Sequence, residues 1–161
     1  MEWIKNGTPD TLTGTGDTLE ITDLVAKKFN QFVNYCLTNN SGVINTKLRY
    51  DGLSTSIYAY RLSNNGGADS TAINQSEIEM TATGGDSDRF AVIYNISISG
   101  QEKLSIINSV IQGTAGAGTA PQRVECIGKS TDTTALDEIT IINDSGGDYN
   151  TGSNLTAFGT D

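Results

Sequence analysis

The side chains of this 161-residue chain that could do chemistry are two cysteines, a scatter of carboxylates and a short row of tyrosines; there is no histidine. The lack of histidine removes Ser-His-Asp and Cys-His catalysis, His-ligated zinc and the commonest general base near neutral pH. What remains for catalysis is a carboxylate pair of the glycosidase kind. The acids fall in turns, as Asp86, Asp88, Asp132, Asp144 and Asp148 do, or alternate singly along strands, as Glu77, Glu79 and Glu125 do. That is the pattern of solvated surface. Cys36 and Cys126 lack C-x-x-C spacing, which argues against zinc and thioredoxin chemistry. Both lie inside alternating segments and read as small, reduced, buried hydrophobes, with a disulfide between strands as the alternative. No catalytic, cofactor-binding or metal-ligating residue is assigned, and no cofactor is expected.

Three weaker patterns have plain structural readings. Thr13-Gly14-Thr15-Gly16-Asp17 has the glycine spacing of a phosphate loop, but no lysine follows and no helix opens there; Gly113 to Gly118 fails on the same grounds. Asp86-Ser87-Asp88 and Asp144 to Asp148 could lend oxygens to a structural calcium ion, though neither has EF-hand spacing and ordinary Asx turns explain both. Tyr58, Tyr60 and Leu62 share one face of a strand, with Ile57, Ala59 and Arg61 on the other. Such a row packs one side of a core with its hydroxyls at the rim, or binds a sugar or a partner subunit. Six Asn-x-Ser/Thr sequons, at Asn6, Asn39, Asn74, Asn95, Asn143 and Asn154, arise by chance in a chain this rich in Asn, Ser and Thr.

The elements that must position these residues are strands. From Arg89 to Ser99 apolar side chains recur with period two: Phe90, Val92, Tyr94, Ile96 and Ile98 on one face, Asn95, Ser97 and Ser99 on the other. The apolar set is expected to face a core. A Ser-Gly-Gln-Glu turn at Ser99 to Glu102 then leads into Lys103 to Gln112, where Leu104, Ile106 and Val110 repeat the spacing, so the two strands pair as a hairpin. Further strands are expected at Trp3 to Lys5, Thr18 to Thr22, Phe29 to Thr38, Thr46 to Tyr50, Ser56 to Leu62, Glu77 to Thr81, Gln122 to Gly128, Glu138 to Asn143 and Asn154 to Phe158. Turn clusters separate them at Asn39 to Gly42, Asn64 to Gly67, Gly84 to Asp86 and Ser145 to Asp148. One helical turn is expected within Asp23 to Phe29, and Gly113 to Pro121 reads as a long exposed loop. The fold class is all-β: an antiparallel two-sheet sandwich of jelly-roll type.

Composition bounds the rest. Residues 1–161 suit a single domain that buries roughly 70% of its unfolded surface. A formal charge of -9 and a pI near 4.3 oppose nucleic-acid phosphates, so no nucleic-acid partner is expected. No stretch approaches the ~18 apolar residues that span a bilayer, so no membrane insertion is expected, and Met1 to Asn6 lacks the apolar region of a signal peptide. Synthesis in a cytosol without Sec export is the expectation.

The second half carries a resemblance. Tyr94-Asn95-Ile96, Glu102-Lys103-Leu104, Gly116 to Glu125 with Gly128-Lys129, Ile139 to Asn143, Gly147 to Leu155 and Phe158 to Asp161, in this order and spacing, resemble a β-sandwich domain found in structural proteins of tailed phages and related viruses. The resemblance runs from about Arg61 to the last residue and is weaker upstream. The family pattern places Trp after Gly-Lys, where this chain has Ser130. The resemblance implies a jelly-roll-like sandwich carried on a virion, made in the host cytoplasm, as a fibre, spike or capsid-decoration protein. It also implies a homo-oligomer, most often a trimer, in contact with other virion proteins and with a host-surface glycan as a further partner. It carries over no catalytic residue. A carbohydrate-binding module, sharing the sandwich and using a tyrosine or Trp3 platform, is the alternative.

Overall fold

The computed structural model describes residues 2–39, 41–81 and 85–161. Among them thirteen strands form two antiparallel sheets. They are β1 (Ile4–Lys5), β2 (Asp10–Thr11), β3 (Thr18–Ile21), β4 (Phe29–Cys36), β5 (Thr46–Tyr50), β6 (Tyr58–Asn64), β7 (Ser70–Gln75), β8 (Ile78–Glu79), β9 (Arg89–Ile96), β10 (Lys103–Ile111), β11 (Gln122–Ser130), β12 (Ile139–Asn143) and β13 (Asn154–Thr160). The wide sheet runs β1-β13-β4-β9-β10-β11-β6-β7, with β2 also on β13; the narrow sheet runs β3-β12-β5-β8.

Each of the eleven segments expected from the sequence overlaps a strand, with β6, β11 and β13 running two residues past the expected ends. The two strands without a sequence signal are β2, only two residues long, and β7, a polar edge strand whose residues are mostly exposed. The expected helical turn within Asp23 to Phe29 does not form. The Asp23 carboxylate accepts hydrogen bonds from the Thr8 amide and hydroxyl, and the amides of Leu24 and Val25 donate to Asp137 O and Asn6 Oδ1. These long-range partners tie Asp23, Leu24 and Val25 to separate parts of the chain and hold the segment in an irregular path.

The chain passes from β3 in the narrow sheet to β4 in the wide one, back to β5, out to β6 and β7, back to β8, out to β9, β10 and β11, back to β12 and out to β13. This alternating wrap, with first and last narrow-sheet crossings side by side as β3 and β12, is the jelly roll. The β9-β10-β11 meander fills the place between β4 and β6 that one strand holds in the eight-stranded form. At 8, 9 and 9 residues its strands exceed the 4, 5, 2 and 5 of the narrow sheet. The narrow sheet packs on one face of the wide one, and the other face has no layer over it among the described residues. Between them lies the core: Leu19, Ile21, Leu48, Tyr50, Ile78, Ile139 and Ile141 from the narrow side, and Phe32, Cys36, Ile93, Ile107, Val124, Cys126 and Leu155 from the wide side.

Turn chemistry is as expected where it can be seen. The β6–β7 hairpin turns through Asn65 and Gly66, both at positive φ, with the Gly67 amide on Asn64 O. The β9–β10 turn uses Gly100 at φ 84°. Residues 113–121 form a mostly exposed loop without strand. Of the expected turn clusters, Asn40 and Gly84 lie outside the described residues, as does Met1 at the N-terminus.

The facing of the central hairpin is opposite to expectation. Arg89, Ala91, Ile93, Asn95 and Ser97 point into the sandwich, and Phe90, Tyr94 and Ile98 are exposed, with Val92 and Ile96 half-buried. On β10, Lys103, Ser105, Ile107, Ser109 and Ile111 are buried while Leu104, Ile106 and Val110 face out. The cause is a polar layer within the core. Asn95 donates to Ser105 Oγ and Leu104 O, Ser105 Oγ shares a 2.6 Å hydrogen bond with Tyr50 OH, and Arg89 donates to Gly85 O, Ser87 O and Thr46 Oγ1. These hydrogen bonds offset much of the desolvation cost of Arg89, Asn95 and Ser105 on the inner face, while the Ser97 and Ser109 hydroxyls are buried there without a hydrogen-bond partner.

Candidate functional site

Cross-strand register builds the uncovered face row by row. Phe158, Gln31, Tyr94, Ile106, Ile127 and Arg61 stand side by side across β13, β4, β9, β10, β11 and β6; two residues along, Phe29, Ile96, Leu104, Lys129 and Ala59 form the next row. Leu104, Ile106 and Ile127 are 52, 55 and 55% exposed and Tyr94 45%. A groove of about 800 Å³ runs over these rows, reaching Trp3 beside β1 and Ile73 on β7 at opposite ends of the sheet. Its floor is the sheet backbone at Asn95, Ser105 and Gly128. Gly128 is fixed from the other side, where a Cβ would meet Ile78 at 2.7 Å. Three ion pairs frame the β11 and β6 side: Arg61 with Asp69 (3.2 Å), Arg123 with Glu125 (3.8 Å) and Lys129 with Glu102 (2.8 Å).

The second notable constellation is buried. Lys103, at the start of β10, is fully buried, and its ammonium lies 2.9 Å from the Asp51 carboxylate and in contact with that of Asp132. Burial raises the Asp51 carboxyl above the usual range, the Asp132 carboxylate beside it adding to the rise. Burial also disfavours charge on Asp132, but the Lys103 ammonium and the Thr134 hydroxyl and amide more than offset this and hold its carboxyl low.

The residues singled out from the sequence fall elsewhere. Cys36 and Cys126 are free, buried thiols, each pushed up to about 12 by burial. They sit on β4 and β11 with β9 and β10 between, so at about 4.8 Å per strand they are at least roughly 14 Å apart, beyond disulfide reach. Tyr58 belongs to the core, its hydroxyl donating to Tyr50 O and Leu53 O and accepting from the Tyr50 amide; Tyr60 packs partly buried against the same core. Asp86 and Asp88 accept from the Thr38 hydroxyl and amide, Asp144 pairs with Lys47, and Asp148 accepts from Asn39. Among the described residues no three acids, cysteines or histidines cluster as a cation site. Glu77 pairs with Arg49, while Glu79, opposite Lys47, is half-buried with its carboxyl pushed up to about 7 by desolvation. Gly16 exchanges backbone hydrogen bonds with Tyr149, which gives this glycine a structural task. Asn6, Asn95 and Asn143 of the sequons are buried.

The uncovered face was legible as an alternating apolar row but not as an outer one. Lys103 gave no sign of burial, because a Glu-Lys pair after a turn reads as solvated. No protein-family model and no curated protein sequence matches this chain.

Proposed function

We propose that this chain is a non-enzymatic structural protein that works by assembly, packing the uncovered face of its wide sheet against further copies of itself. The observation that carries the reading is the cluster of Leu104, Ile106 and Ile127, each more than half exposed on the two adjacent strands β10 and β11. A contiguous apolar patch of this kind is costly in water and marks an interaction surface. The occupant is a second copy because charge permits it. The chain carries -9, yet the rim of this face holds Arg61, Arg123 and Lys129, each balanced by an acid, so like copies do not repel across it. Exposed Ile73 and Trp3 flanking the groove give one face both knobs and a hollow.

Within that class, the resemblance of Arg61 to Asp161 to particle proteins of tailed phages supports a place on a virion, as a fibre, spike or decoration protein assembled in the host cytoplasm and meeting other virion proteins there. A trimer is the expected closed form. Trp3 and Tyr94 in one groove favour, as a second reading, a carbohydrate-binding module, because aromatic faces on a hollow sheet stack on sugar rings. The isoleucine and leucine side chains that line the groove offer few hydrogen-bonding partners to a sugar, which puts assembly first. Size-exclusion chromatography with light scattering separates the two: a stable trimer supports assembly, and a monodisperse monomer that binds a defined oligosaccharide supports the sugar module.

A further inference from the structure

We propose that Lys103 and Asp51 become joined by a self-formed amide bond, Lys103 Nζ to Asp51 Cγ, with Asp132 as the group that moves the protons. A fully buried lysine held between two carboxylates is an expensive arrangement if its only task is an ion pair, since desolvation offsets most of the Coulombic gain. The three side chains are instead placed as a nucleophile, an electrophile and a proton carrier. Lys103 Nζ lies 2.9 Å from Asp51 Oδ2, an ion-pair contact that sets the amine beside the carboxyl group whose Cγ it would attack.

Asp51 is set up as the electrophile. It occupies the turn after β5 at φ 54°, a left-handed conformation that aspartate takes more readily than most side chains. Its Oδ1 accepts the backbone amides of Asp137 at 2.9 Å and Glu138 at 3.3 Å. Two amide donors on one carboxyl oxygen form an oxyanion hole, ready for the charge that develops on addition. Oδ2 is buried without an aligned hydrogen bond and faces the ammonium. It is the oxygen free to leave. The raised pKa of Asp51 favours the neutral acid, which an amine can attack where a carboxylate resists.

Asp132 completes the set. Its Oδ2 touches Lys103 Nζ and accepts from Thr134 Oγ1 at 2.8 Å, and its Oδ1 accepts the Thr134 amide at 3.2 Å. The step balances without a further reactant. The ammonium gives one proton to Asp51, leaving a neutral amine and a carboxylic acid. Nζ then adds to Cγ, with the negative charge on Oδ1 in the amide pocket. Asp132 takes the second proton from nitrogen and delivers it to Oδ2–H as the Cγ–Oδ2 bond breaks. The products are one amide and one water, and Asp132 ends as the carboxylate it began. The bond would tie the turn after β5, in the narrow sheet, to the first residue of β10, in the wide sheet, and so lock the two layers of the sandwich together.

The test is intact-mass spectrometry of the purified full-length chain after denaturation and reduction, followed by fragmentation of a protease digest. The expected result is a mass one water below that of the sequence and a branched peptide joining Lys103 to Asp51. Lys103→Arg, which keeps the charge but cannot make this bond, and Asp132→Asn should each return the full mass. Full sequence mass in a wild-type chain shown by circular dichroism to be folded overturns the proposal. So does a water loss located at any other pair, Lys103 with Asp132 included. If a variant fails to fold, the wild-type mass and its branched peptide still decide.

Discussion

Ile106 of β10 stands directly opposite Tyr94 of β9, both on the bare face of the wide sheet, while their chain neighbours Ile107 and Ile93 oppose each other in the same register within the core. One hairpin thus presents two apolar faces, one buried by the narrow sheet and one left open among the described residues. The pair of faces divides what holds the domain together from what it offers to others.

That division predicts different costs for neighbouring truncations. Ile93 is wholly buried, so Ile93→Ala should lose about 2 to 5 kcal/mol of stability, as cavities in packed cores do. Val92→Ala, on the outer face, should lose about 1 kcal/mol or less. Urea unfolding at a concentration low enough to suppress association measures both; equal losses would contradict the assigned facing.

Stability should also depend on pH through Glu79. Desolvation raises its folded pKa from the usual 4.5 to about 7. Between those values the folded chain keeps a proton that the unfolded chain has released, so this contribution is full below the window and is lost as pH rises through it. Glu79→Gln should flatten the part of the stability profile that falls between about pH 4.5 and about pH 7. A variant profile parallel to that of wild type would count against it.

The cysteines should react slowly. Burial holds both as neutral thiols, and the thiolate is the reactive form. A thiol reagent should modify neither in the folded chain within the time that labels both after denaturation. Rapid labelling of the native protein would place at least one of them outside the core.

Much of the architecture was written in local pattern. Thr46–Tyr50 coincides with β5 to the residue, and all eleven alternating segments overlap strands, because period-two spacing and turn residues are local properties of a chain. Facing was not local. In Phe90 to Ile98 the larger apolar set points outward, and only the pairing of Asn95 with Ser105 and of Ser105 with Tyr50, residues distant in sequence, makes the polar set acceptable inside. Alternation marks two faces without saying which is covered, and that depends on the side on which β3, β12, β5 and β8 pack. The Lys103 constellation was hidden for the same reason: Asp51 from the turn after β5, Lys103 from the start of β10 and Asp132 from the segment after β11 meet only in the fold. The polar edge strand β7 carried no periodic signal at all.

Light scattering on the wild-type chain and on Ile106→Asp, at tens of micromolar, tests the assembly reading most directly. Val43→Asp, at an exposed apolar site outside the strands, serves as the control. The expected result is a wild-type trimer or other closed oligomer, unchanged in Val43→Asp and reduced to monomer in Ile106→Asp, with circular dichroism the same for all three. A wild-type chain that is monomeric at this concentration, or an oligomer that survives a charge placed at Ile106, would contradict assembly through this face.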